Sequence, residues 1–123
     1  MNIPNGHQTV MPYLMLHNAT MFIKFVKQVF NAELIFERER DEHKLMHAEV
    51  RINECTLMFC DATDDWKTQT ANLFVYVPNA DEAYQKALNA GAETIMPLSD
   101  QDYGRTCGVT DPTGNVWWIT AIK

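Results

Sequence analysis

The chain has 123 residues, 46% of them hydrophobic, which suits one compact domain with a real core. Sixteen acidic against ten basic side chains give a formal charge of −6, which argues against a nucleic-acid or anionic-membrane partner, since both need clustered Lys and Arg. No apolar run is long enough to span a membrane, and the start Met1-Asn2-Ile3-Pro4-Asn5-Gly6-His7 lacks the basic and apolar regions of a secretory leader, so a cytoplasmic location is expected.

Thr9 to Leu16 is apolar with β-branched members and reads as a strand. Asn18 suits a helix N-cap, and Phe22, Phe25, Val26, Val29 and Phe30 follow at the spacing of one buried helical face. Asn31 suits a left-handed exit. Strands are expected over Glu33–Glu39, Leu45–Ile52 and Cys55–Asp61. The charged stretch Glu37–Lys44 reads as a solvated hairpin tip, and Asn53-Glu54 as a tight turn. His47, Glu49 and Arg51 share one face of their strand, opposite Met46, Ala48, Val50 and Ile52. Residues 62–70 are polar and read as a connector. Within it Trp66 either packs locally or marks a partner surface or lid. Cys55, Cys60 and Cys107 form no disulfide framework and read as reduced thiols.

The second half repeats the first. Asn79-Ala80 stands 61 residues after Asn18-Ala19 (79 against 18), and Gly91-Ala92-Glu93 about 60 after Asn31-Ala32-Glu33 (93 against 33). A strand over Asn72–Val77 leads to a helix capped by Asn79 with Glu82, buried through Ala83, Tyr84, Ala87 and Leu88. Strands near Glu93–Leu98, Arg105–Thr110 and Asn115–Ile122 follow, the last two joined by the turn Asp111-Pro112-Thr113-Gly114. The pattern is βαβββ twice, an α+β fold. One domain (1–123) is expected, made of two repeated modules, about 9–62 and 71–122. Each is too small to bury a good core alone, and the curved sheets are expected to enclose a cleft, each with a helix on its outer face.

The sequence resembles the vicinal-oxygen-chelate superfamily of glyoxalase I, bleomycin-resistance proteins and extradiol dioxygenases. The resemblance rests on Asn18-Ala19-Thr20-Met21-Phe22-Ile23-Lys24-Phe25, on Val77-Pro78-Asn79-Ala80-Asp81-Glu82-Ala83 with Asn89-Ala90-Gly91-Ala92, and on Asp111-Pro112-Thr113-Gly114-Asn115-Val116-Trp117. His47-Ala48-Glu49-Val50-Arg51-Ile52 with Leu57-Met58-Phe59-Cys60-Asp61 is similar to the PhnB-like branch, whose methyltransferase label finds no glycine-rich S-adenosylmethionine loop here. The resemblance implies metal ligands on the first and last strand of each module. Those positions hold Met11, Asn72, Trp118 and, in an uncertain register, Met58 or Phe59. Such a set suits no hard metal ion, so no metal and no cofactor are expected.

Strand alternation extends this to a cavity wall of Met11, Tyr13, Met15, Phe59, Asn72, Phe74, Tyr76, Trp118 and Thr120, unless these side chains simply fill the core. Arg105 is the candidate for an anionic ligand group. His47 is the candidate general base with Glu49 orienting it, against an ordinary polar sheet face. His7, His17 and His43 are given no role. No GxGxxG, P-loop, HExxH, paired CxxC or GxSxG motif occurs. The expected protein binds a small aromatic or apolar molecule without a conventional metal, as a homodimer. The alternatives are an isomerase, lyase or dioxygenase using His47 and Glu49, and a drug-sequestering resistance protein.

Overall fold

Asn18 and Asn79 each follow a strand and start a helix. Their side-chain oxygens accept hydrogen bonds from the backbone N–H of Met21 and Glu82, both at 3.0 Å. In the computed structural model, which describes residues 1–122, these caps open α1 (Ala19–Phe30) and α2 (Ala80–Asn89). Asn31 ends α1 in the left-handed conformation (φ 56°). The strands are β1 (Tyr13–Leu16), β2 (Glu33–Asp41), β3 (Lys44–Ile52), β4 (Cys55–Asp61), β5 (Asn72–Tyr76), β6 (Glu93–Gln101), β7 (Gly104–Thr110) and β8 (Val116–Ala121).

The chain therefore forms two βαβββ modules, each with a four-stranded mixed sheet. The orders are β1-β4-β3-β2 and β5-β8-β7-β6. The first strand of each module runs parallel to its last, with Tyr13 opposite Met58 and Phe74 opposite Trp118, and the remaining pairs are antiparallel. Strands β2 and β6 run further than the sequence suggests. The charged stretch expected as a hairpin tip is mostly paired strand, with only Glu42 and His43 in the turn. Both are edge strands, where exposed charges, and Pro97 in β6, cost no inner ladder bond.

One apolar core joins the modules. In α1, Phe22, Phe25, Val26 and Val29 are buried against Ala48, Val50, Leu57 and Phe59. In α2 the buried side chains are the small Ala80, Ala83 and Ala87. Trp117 on β8 reaches the first helix, with ring centroids 4.7 Å from Phe30 and 6.4 Å from Phe22. The helices, expected on outer faces, touch each other at the module junction. Each sheet thus keeps one open face, away from its helix.

Two buried carboxylates fasten the frame. Asp61 accepts from the N–H of Ala19 (2.8 Å) and of Leu45 (2.7 Å), tying the start of α1 to β3 and supplying the negative charge that the first turn of α1 lacks. Asp111 accepts from the backbone N–H of Thr113 and Asn115 and from Trp117 Nε1 (2.7 Å), which fixes the last hairpin and the central indole together.

Candidate functional site

The open face of module 1 is built around Glu49, only 9% exposed. Its Oε1 accepts from His7 Nε2 at 2.7 Å and its Oε2 from His47 Nε2 at 2.9 Å. His47 Nδ1 lies 2.9 Å from Tyr13 Oη, and the two rings stack at 5.5 Å. Strand register explains the assembly, because Tyr13 and Glu49 both pair with Met58. Between the pairs Arg38–His47 and Glu39–Leu45 the extra residue is Met46. This bulge departs from the simple alternation and lets Met46 line the same cavities as Tyr13 and His47.

His7, given no role from sequence, is brought in by the N-terminal segment. Gly6 takes φ +87° beneath the Arg51 guanidinium, and the Gln8 side chain bonds the backbone of Thr56 at both its N–H and C=O. The turn composition Pro4-Asn5-Gly6 was the available signal; a pairing across 48 residues left none.

Burial alone would raise the Glu49 pKa, but the hydrogen bonds and charges of His47 and His7 outweigh it, and the carboxyl is held below its ordinary range. Tyr13 is pushed up, by burial first and then by Cys60 and Glu49. Burial also raises the Cys60 thiol, against the nearby Arg40.

The open face of module 2 is aromatic. Phe74 and Tyr76 are 52% and 60% exposed, with ring centroids 5.2 Å apart. The Trp118 indole donates to Asn72 Oδ1 at 3.1 Å and lies flat on Gly108, where a Cβ would come within 2.5 Å of it. Thr106 and Thr120 share a buried hydroxyl bond on the same face. Along the junction runs a groove of about 400 Å³ bordered by Pro12, Leu57, Leu73, Phe74, Tyr76 and Trp117.

Two candidates lie elsewhere. Phe59 faces α1, fully buried and edge-on to Phe22 at 4.9 Å, because Leu57 and Phe59 share the apolar side of β4 while Met58 takes the open side. Arg105 pairs with Ala121 on the helix side of β7 and is committed to Asp81 (2.6 Å) and Asp100 (3.3 Å). Those two acids raise its pKa, and the Arg105 hydrogen bond holds Asp81 below the usual carboxylate range. Met11 precedes β1, partly buried. Asn72, Tyr13, Phe74, Tyr76 and Trp118 lie on open faces, but the cavities lined by Tyr13 contain no residue of module 2.

By strand register Met58 corresponds to Trp118, so the four metal positions that the resemblance implies would hold Met11, Met58, Asn72 and Trp118. Two thioethers, an indole, and a carboxamide oxygen already accepting that indole N–H do not fit a hard divalent ion. Among the described residues no three His, Cys, Asp or Glu side chains converge as a metal site.

The sequence model of the Glyoxalase/Bleomycin resistance protein/Dioxygenase superfamily matches residues 14–119. The uncharacterised protein Mb0911c of Mycobacterium bovis is 31% identical over 125 aligned positions, covering 92% of this chain and 82% of that protein. A PhnB protein of Bacillus cereus superposes with a TM-score of 0.73 at 18% identity, over 93% of this chain and 99% of that one. TnmS3, an antibiotic binding protein from a Streptomyces species, superposes at 0.72 with 14% identity, over 95% and 100%.

Proposed function

The chain belongs to the Glyoxalase/Bleomycin resistance protein/Dioxygenase superfamily, and from that premise we propose that it binds a small aromatic or apolar molecule without a conventional metal. The ligand lies against Phe74, Tyr76 and Trp118 and enters the junction groove. The observation that carries this reading is the half-exposed aromatic face, with its central indole pinned by Asn72 and Gly108 instead of being free to collapse. A rigid aromatic platform beside a groove of about 400 Å³ suits a flat ligand of drug size. Drug sequestration is the form of this role that fits the likeness to TnmS3.

The working form is a homodimer. Beside the ligand surfaces, Ile35 and Phe36 on one open face and Ile95 on the other are each at least 40% exposed, and a second copy is the occupant that covers them. Light scattering at micromolar protein gives a dimer mass on this account; a monomer mass rejects that part of it.

A thermal-shift panel of flat aromatic compounds, antibiotics among them, tests the binding reading. A ligand that binds only the folded chain raises the melting temperature by mass action. At least one compound is expected to shift the wild type and to shift Trp118→Ala much less. A panel in which nothing shifts the wild type rejects the reading.

A further inference from the structure

Module 1 carries a feature that binding on module 2 leaves unused, namely four side chains hydrogen-bonded in series: His7, Glu49, His47 and Tyr13. The polarity of the series follows from donor counting. An ionised Glu49 can only accept, so both Nε2 atoms that meet it carry protons. In neutral His47 that leaves Nδ1 as an acceptor, and the Tyr13 O–H is the donor that fills it. One lone pair of Tyr13 Oη faces the Cys60 thiol, and the other is open to a ligand proton.

Beside Tyr13 lies a cavity of about 380 Å³, lined by Met15, Arg40, Met46, Cys60 and Trp66. Its wall is fixed. The connector pairs with β1 through Met15 and Gln69 (3.0 and 2.8 Å), and the Thr63 hydroxyl holds the Trp66 N–H at 2.8 Å. Arg40 donates through Nη2 to the carbonyls of Asp61 (2.8 Å) and Leu45 (3.3 Å). Among the described residues no carboxylate pairs with it, and its other N–H groups have no protein acceptor. A fixed cation, an exposed indole and thioethers around a phenol oxygen select a flat ligand that becomes anionic.

We infer that Tyr13 Oη is the working end of a proton relay, and that the cavity beside it takes a small aromatic with an acidic hydroxyl and holds it as the oxyanion. The step balances without a further reactant. The ligand O–H bond breaks and its proton joins Tyr13 Oη, while the Tyr13 proton moves to His47 Nδ1. The resulting imidazolium faces the Glu49 carboxylate, and the ligand oxyanion faces Arg40. His7 is a positioning residue: it occupies the second Glu49 oxygen and keeps the first directed at His47. The charged and titratable groups that line or bond to the series are His7 from the N-terminal segment, Arg38 and Arg40 from β2, His47 and Glu49 from β3, and Cys60 from β4. Burial, Cys60 and Glu49 all keep Tyr13 protonated when the site is empty, as a relay of this kind needs.

The test uses 4-nitrophenol, whose phenolate alone is yellow, beside 4-nitroanisole, which has the same ring and no acidic proton. In buffer near neutral pH the free phenol is a mixture of colourless and yellow forms, so an excess of yellow in the bound probe reports ionisation on the protein. The wild type is expected to bind 4-nitrophenol in the yellow form. Tyr13→Phe and His47→Gln are each expected to lower the ratio of ionised to protonated bound probe by about tenfold, one pKa unit. Arg40→Met should weaken 4-nitrophenol and spare 4-nitroanisole, and Arg105→Gln, which lies on the helix side of β7, should leave the colour unchanged. A melting curve for each variant confirms a folded chain, and His47→Asn serves if His47→Gln does not fold. Bound probe that stays colourless, full colour in folded Tyr13→Phe, an equal loss of colour in Arg105→Gln, or no binding of 4-nitrophenol would each overturn the relay. Colourless 4-nitrophenol with tight 4-nitroanisole would do so while leaving the aromatic-binding reading intact.

Discussion

The two modules share a backbone plan and differ in what their open faces carry. Tyr13 and Phe74 each stand five residues before a capping asparagine, and each pairs with the centre of its module's last strand, Met58 or Trp118. The neighbour across that centre is Glu49 in module 1 and Gly108 in module 2. One pair of choices therefore sets the character of each face. A glycine lets an indole lie flat and makes an aromatic platform. A carboxylate beside a slender methionine leaves room for His47 and His7 to close on it. Even the bulges correspond, at Ile35 in β2 and Ile95 in β6. The duplication conserves geometry and leaves chemistry to a few register positions, so one chain offers an ionising surface and an aromatic one.

The comparison breaks most visibly if the modules are uncoupled. Trp117→Ala removes the side chain that joins β8 to α1 and leaves Asp111 without its indole donor. A loss of about 3–5 kcal/mol is expected, with both modules melting together, read by denaturant titration. Two separate transitions would show that the modules do not share one core.

Gly108→Ala puts a Cβ where the Trp118 ring lies. It should cost about 1–3 kcal/mol and weaken aromatic ligands at module 2, with the Tyr13–His47 pair undisturbed. Full binding by a folded Gly108→Ala variant would show that the flat indole is not the platform.

Glu49→Gln isolates the ionising face and should cost about 1 kcal/mol near neutral pH. Because the folded pKa of Glu49 is lowered, its contribution is complete above the ordinary glutamate range and is lost as pH falls through the lowered value. The stability gap between wild type and Glu49→Gln should therefore narrow on acidification, in melts taken across that window. A gap that stays constant would mean the carboxylate is not specifically held.

The smallest effect belongs to Arg105→Gln. Its partners Asp81 and Asp100 are solvent-exposed, so stability and ligand affinity should barely change. A clear loss of binding would return Arg105 to the site.

The sequence made the frame legible because the frame rests on local chemistry. Asn18 and Asn79 cap helices, the phenylalanine and valine spacing of α1 marks its buried face, and Asp111-Pro112-Thr113-Gly114 turns the last hairpin. The site was legible only where alternation holds. Tyr13 lies on the open face of module 1 and Phe74, Tyr76 and Trp118 on that of module 2, following alternation, whereas Met46 sits in a bulge that breaks the count. Arg105 shares a side with Cys107 and Val109, both fully buried, so its own strand held the signal that it faces the helix. Phe59 follows Leu57 inward for the same reason. His7 was beyond reach, since the segment is placed by contacts with Thr56 and Glu49 more than forty residues away.

The most direct measurement of the central claim is a calorimetric titration of the strongest aromatic hit into wild-type and Trp118→Ala protein. If the open face of module 2 is the ligand platform, the variant binds at least about tenfold more weakly while remaining folded. Equal affinity in the two proteins would contradict it and assign those aromatic side chains to the packing of the sheet alone.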